Sequence, residues 1–168
     1  MGKKLLAFDV TQIGDDKALA IAAYGEAVSA YRYIVLAEKS PDARLRASFE
    51  NMVKSENAQR DAVQNLLQEL FTASNFLLSP MDKELVCVGP RLVDARDDAR
   101  FDEAMKLVIA SEKRSISFYG RYAPAAQNPK AKDLFVRLTA EGLERVQVLR
   151  QLFHDAGKKI TESCPIAP

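Results

Sequence analysis

Histidine is almost missing from this sequence. Of 168 residues only His154 carries an imidazole, so one chain cannot bring two histidines to a common metal centre. Cysteine is nearly as scarce. Cys87 and Cys164 stand alone, without a disulfide framework or a Cys-x-x-Cys metal knuckle, and read as two ordinary thiols. Charge of one sign is missing as well: Lys+Arg 24 against Asp+Glu 23 leaves a net charge of +1. No segment collects the basic charge that phosphate backbones demand, so nucleic acid is a poor partner. Apolar runs such as Ala18 to Tyr24 fall far short of the roughly 20 residues of a membrane span. The Lys3-Lys4-Leu5-Leu6-Ala7-Phe8 stretch meets Asp9 before a signal core forms. These absences give the expectation of a soluble, cytoplasmic protein.

What the chain does have is helical punctuation. With 48% hydrophobic residues it fits one domain, residues 1–157, able to bury roughly two thirds of its unfolded surface. Gly14-Asp15 opens a first helix, expected over 15–39, whose inward stripe runs Leu19, Ala22, Ala23, Glu26, Ala30, Tyr33 and Ala37. Ser40-Pro41-Asp42 supplies an N-cap followed by proline at the first helical position. A second helix over 41–72 then carries Leu45, Phe49, Met52, Val53, Glu56, Gln59, Val63, Leu66, Leu67 and Leu70. After Asp97-Asp98 a third stripe, 98–123, holds Phe101, Met105, Val108, Ile109, Glu112, Ile116 and Tyr119, and Pro124 stops it. Asn128-Pro129 opens the fourth, 129–156, with Leu134, Phe135, Leu138, Gly142, Arg145, Val146, Leu149 and Leu152, and Gly157 stands as its C-terminal cap. The tail 158–168 is expected to fray.

Loop lengths set the expected topology. Short connections within the first and the last helix pair force antiparallel neighbours. The 73–97 connection, with Pro80, Gly89 and Pro90, has the length of a crossover that leaves the second and third helices parallel. Its apolar pieces Phe76-Leu77-Leu78 and Leu85-Val86-Cys87-Val88 would pin it to the bundle.

Glu26, Glu56 and Glu112 each interrupt an apolar stripe near mid-helix. A buried carboxylate costs several kcal/mol unless a cation, a proton or strong donors meet it. Three at the same depth on different helices point to one meeting place in the core, the geometry of a hard-cation or di-iron site. The tyrosines Tyr24, Tyr31, Tyr33, Tyr119 and Tyr122 read mainly as packing with satisfied hydroxyls. His154 lies nine residues beyond Arg145, about 13 Å along the helix, and is placed as a charge near the helix end.

The segment Asp15 to Ala156 resembles the ferritin-like superfamily, and within it the rubrerythrin-type di-iron carboxylate four-helix bundles. The resemblance is carried by Ala22-Ala23-Tyr24-Gly25-Glu26-Ala27, by Phe49-x-x-Met52-Val53-x-x-Glu56-x-x-Gln59, by Ala110-Ser111-Glu112 with Phe118-Tyr119, and by Leu134-Phe135-x-x-Leu138-Thr139-Ala140-Glu141. It implies an all-α, ferritin-like four-helix bundle with a long crossover between helices 2 and 3. Metal ligands are implied at Glu26 and Glu112 and at the Glu-x-x-His position that reads Glu56-x-x-Gln59 here, where an amide replaces the imidazole. The other Glu-x-x-His position falls on Gly142 and Arg145. A shift of one residue would use Glu141 and Glu144 instead. The paired Cys-x-x-Cys motifs of a rubredoxin-type electron-transfer module are missing.

Two functional readings follow. In the first, a carboxylate-rich site at Glu26, Glu56, Gln59 and Glu112, with Glu141 or Glu144 as further donors, binds Fe or Mn; the family then implies oxygen or peroxide chemistry or iron handling, while the loss of imidazole favours harder ions. In the second, Arg145 turns its guanidinium on the three glutamates and replaces the metal's charge, leaving a metal-free interaction or structural bundle. The outer strips Ile21, Val28, Val35 and Leu36 of the first helix, and Val136, Leu143 and Val148 of the fourth, suggest a homodimer seam.

Overall fold

The computed structural model describes residues 8–72 and 77–155. The Gly157 cap, the 158–168 tail, Cys164 and Phe76 lie outside the described residues. Four long helices make the body: α1 (Asp15–Lys39), α2 (Ala43–Leu70), α4 (Asp98–Tyr122) and α5 (Pro129–Asp155), with a short α3 (Pro80–Glu84) in the long connection. Among the described residues there is no strand, and no helix is long and apolar enough to cross a membrane.

Side-chain caps fix most of the helix starts. Asp97 Oδ1 accepts from Arg100 N at 2.9 Å to open α4, and Asn128 Oδ1 accepts from Lys130 N at 2.9 Å ahead of Pro129 in α5. The start of α2 differs from the sequence expectation. Asp42, not Ser40, is the N-cap, accepting from Leu45 N at 2.8 Å. Ser40 instead closes α1, its hydroxyl donating to Leu36 O at 2.6 Å. An aspartate two residues nearer the helix satisfies the orphan amide directly, and the serine is then free to serve a helix end. Pro124 stops α4 as expected, within a 3₁₀ turn over Ala123–Ala125.

The core is two apolar clusters. One gathers Leu19 and Ala22 of α1, Val63 and Leu66 of α2, Phe118, Tyr119 and Tyr122 of α4, and Phe135 and Leu138 of α5. The other gathers Tyr33 and Leu36, Phe49 and Met52, Met105 and Ile109, and Leu149 and Phe153 from the same four helices. Glu26, Glu56, Glu112 and Arg145 each fall between the contributions of their own helix to the two clusters. The polar layer is therefore central, with an apolar plug at each end.

The long connection decides what happens to the outer face of α1. A capping box of Ser79 with Asp82 opens α3, and Lys17 Nζ holds Asp82 at 3.3 Å. Leu85, Val86 and Cys87 are then buried. A Cβ on Gly25 would sit 2.8 Å from Val86 Cβ, so this contact needs a glycine on α1. Arg32, 1% exposed, donates to Ser111 Oγ at 2.6 Å, Val88 O at 2.8 Å and Pro90 O at 2.6 Å. Of the outer strip expected on the first helix, Ile21, Val28 and Leu36 are buried within a single chain and Val35 is partly buried. A helix with apolar residues on two sides is here a helix packed on two sides. The α5 strip remains open, with Val136, Leu143 and Val148 between 40% and 54% exposed.

Candidate functional site

The three sequence-selected glutamates converge with Arg145. Arg145 Nη1 lies 2.9 Å from Glu56 Oε1 and 3.1 Å from Glu112 Oε2, bridging α5 to α2 and α4. Two tyrosines complete the layer. Tyr33 on α1 donates its hydroxyl to Glu112 Oε1 on α4 at 2.7 Å, and Tyr119 on α4 donates to Glu26 Oε1 on α1 at 2.6 Å. Each tyrosine stands seven residues, two turns, beyond the glutamate of its own helix; each serves the glutamate of the other. The sequence expectation for both is packing with a satisfied hydroxyl, and a glutamate satisfies each. The matching seven-residue spacing was the available signal, but only tertiary pairing crosses the partners.

All members are buried, and the consequences are electrostatic. Burial, then the facing Glu26 and Glu112 carboxylates, push the Glu56 carboxyl well above its ordinary range. Burial likewise raises Glu26, against hydrogen bonds from Glu56 and Tyr119. Burial works against the charge of Arg145, yet Glu112 and Glu56 hold the guanidinium charged, above its usual range. Burial and the adjacent glutamates keep both phenols protonated, Tyr33 beside Glu112 and Tyr119 beside Glu26. Both Glu56 oxygens and Glu26 Oε2 lack a hydrogen-bond donor although fully enclosed. The Arg145–Glu56 contact is an ion pair whose alignment falls short of a hydrogen bond. Burial and the facing carboxylates favour the protonated form of Glu56, whose hydrogen supplies the donor this enclosed group otherwise lacks.

That proton makes a prediction. Between the ordinary glutamate range near 4.5 and the raised native value, the folded chain binds more protons than the unfolded one, so stability falls as pH rises through this window. Glu56→Gln, an uncharged isostere of the protonated acid, should remove that loss. Urea unfolding over a pH series is expected to show the wild type weakening against the variant toward alkaline pH. Parallel stability curves would mean that Glu56 is ionised in the native state.

The remaining sequence candidates divide around the layer. Gln59, 6% exposed, donates its amide to Glu141 Oε2 at 2.5 Å. Glu141 is half-buried and Glu144 exposed, whereas Gly142 and Arg145 are buried, so the inward register of α5 is that of Gly142 and Arg145. The reason for Gly142 is contact: a Cβ there would meet Ile116 Cγ1 at 2.7 Å. His154 is exposed beside Asp155 at the end of α5. Arg32, a second buried guanidinium, gives no periodic signal; it faces away from the core stripe, and its partners are Ser111 of α4 and carbonyls of the connection.

A pair of iron or manganese ions asks for four carboxylates and two imidazoles from facing helices. Here three glutamates meet, one position holds an amide already bonded elsewhere, and a guanidinium nitrogen occupies the space between two of the carboxylates. Among the described residues no three His, Cys, Asp or Glu side chains are grouped to hold a metal ion. The donors present do not fit a di-metal centre. No family model matches the chain, and neither a curated protein nor a solved structure matches it.

Proposed function

We propose that this chain is a ferritin-like four-helix bundle in which an arginine and a retained proton stand where the family holds metal, and that it serves as a non-enzymatic interaction or structural protein. The observation that carries the reading is the position of Arg145: 8% exposed, with one nitrogen within 3.1 Å of two glutamates on two other helices. A fixed cation needs no exchange with solvent and offers no open coordination site, so it supports a packing role over a catalytic one. The bundle topology is supported by the order of the two apolar clusters along each helix. Chain direction runs from the first cluster to the second in α1 and α5, and from the second to the first in α2 and α4. That order suits antiparallel pairs with α2 and α4 parallel, the pattern a crossover through 73–97 would give.

The test is metal loading. Wild-type protein purified without a histidine tag and incubated with ferrous iron under air is expected to retain substoichiometric iron and to consume no oxygen. Stoichiometric iron with oxygen uptake would overturn the reading. The converse variant must respect the α4–α5 contact: Gly142→Glu with Arg145→His needs Ile116→Ala to make room for a side chain at 142. This triple variant should gain bound iron relative to wild type, because it restores the missing carboxylate and one imidazole.

A further inference from the structure

Between α2 and α5, on the solvent side of the polar layer, lies a cleft of about 420 Å³ lined by Ser48, Asn51 and Ser55 from α2 and by Glu141 and Glu144 from α5. Its floor includes Arg145 and Met52, both more than nine-tenths buried, and Val148 forms an apolar wall. The volume falls in the range of small-molecule sites, roughly 300–1,000 Å³. We propose that this cleft binds a small organic cation, an aliphatic ammonium whose head is held by Glu141 and Glu144 and whose stem lies on Met52 and Val148.

Charge and donor chemistry select this ligand class. The Arg145 charge is already met by Glu56 and Glu112 on its core side, so it does little to offset the two carboxylates at the rim. Glu141 has one oxygen bonded to the neutral Gln59 amide and the other 3.8 Å from Arg137 Nε, a loose exposed pair. Among the described residues no cation pairs with Glu144. The cleft is therefore negative, and buried or half-enclosed negative surface concentrates cations. The Ser48 hydroxyl spends its proton on Arg44 O at 3.1 Å, leaving its oxygen as an acceptor for an N–H donor. A metal ion is the poorer fit, because no three His, Cys, Asp or Glu groups among the described residues are close enough to chelate one. An ammonium group needs only spaced acceptors, and an aliphatic stem uses the apolar wall that a metal ion would leave idle.

The experiment uses putrescine as the probe, with butane-1,4-diol as the uncharged analogue of equal length, followed by amide NMR at low ionic strength. Putrescine should shift resonances along the facing stretches of α2 and α5, and the diol should not. Glu144→Gln and Glu141→Gln should each weaken binding about tenfold, the effect of losing one charge-assisted contact, while Glu103→Gln on exposed α4 surface should change nothing. Three results would overturn the proposal: no localised shifts at millimolar putrescine, an equal response to the diol, or affinity unchanged by Glu144→Gln. Because Glu144 is exposed, its variant folds as the wild type does. The proposal concerns the cleft and stands whether or not iron loading supports the reading of the core.

Discussion

Arg145→Met should lower the free energy of unfolding by about 3–5 kcal/mol, the cost of leaving buried carboxylates without their cation. Arg145 Nη1 is within 3.1 Å of both Glu56 and Glu112, and its side chain is 7% exposed, so its loss leaves these enclosed carboxyl groups poorly compensated. Glu56 favours its protonated form, so the charge left unmatched is that of Glu112, which keeps only the Tyr33 hydroxyl. The second change that relieves the loss is therefore predictable: Glu112→Gln in the Arg145→Met background should restore a substantial part of it. Arg145→Lys should fall between, since one ammonium on a flexible stem meets two carboxylates less well than a guanidinium nitrogen held in a rigid plane. Urea unfolding of the four proteins measures these differences. A loss below about 1 kcal/mol for Arg145→Met would mean that the charge is solvated and that the layer is held by packing alone.

Arg32→Met is expected to cost about 3 kcal/mol and to release the connection between α2 and α4. The guanidinium bonds Ser111 Oγ, Val88 O and Pro90 O, and lies 3.4 Å from Cys87 Sγ. It is the polar clamp that seats residues 87–90 between α1 and α4. Hydrogen bonds from a charged donor are each about 1.5–3 kcal/mol, but part of this is recovered when half-exposed carbonyls reach water. Loss of the clamp should appear locally before it appears globally. Trypsin cleavage at the exposed Arg91 and alkylation of the buried Cys87 should both accelerate in the variant under conditions where the wild type is protected. Unchanged cleavage and alkylation would show that Val86 against Gly25 seats the connection without Arg32.

Much of this architecture is legible in the residues. Period-3.6 stripes, the Asp97 and Asn128 caps and the proline stops are local effects, decided within a few residues of chain. α1 begins at Asp15, α4 at Asp98 and α5 at Pro129. The inward glutamates are legible for the same reason, because a charge inside an apolar stripe is an anomaly at one position. The α2 start was misplaced since two adjacent groups, Ser40 and Asp42, could each cap, and the choice depended on the needs of α1. The outer apolar strip of α1 was read as an interface because periodicity registers burial without saying what covers it. Ile21 shares an apolar cluster with Leu85 and Val86 of the long connection, and Leu36 shares one with Ala95.

By itself, then, the sequence determined the helices, their inward faces, and the excess of core carboxylate over histidine. Those are properties of spacing and of residue type. Arg145 is legible as their partner on the fourth stripe, whereas tertiary structure alone decided which tyrosine answers which carboxylate. Tyr33 reaches across to Glu112 and Tyr119 to Glu26, pairs separated by 79 and 93 residues, and no local pattern encodes a partner on another helix. The apolar stripe of α5 already carries Gly142 and Arg145, and helical rotation buries both while Glu141 and Glu144 stand at the rim. A residue lies in the core or at its rim by a turn of about 100° per position, and Gly142 against Ile116 fixes that turn.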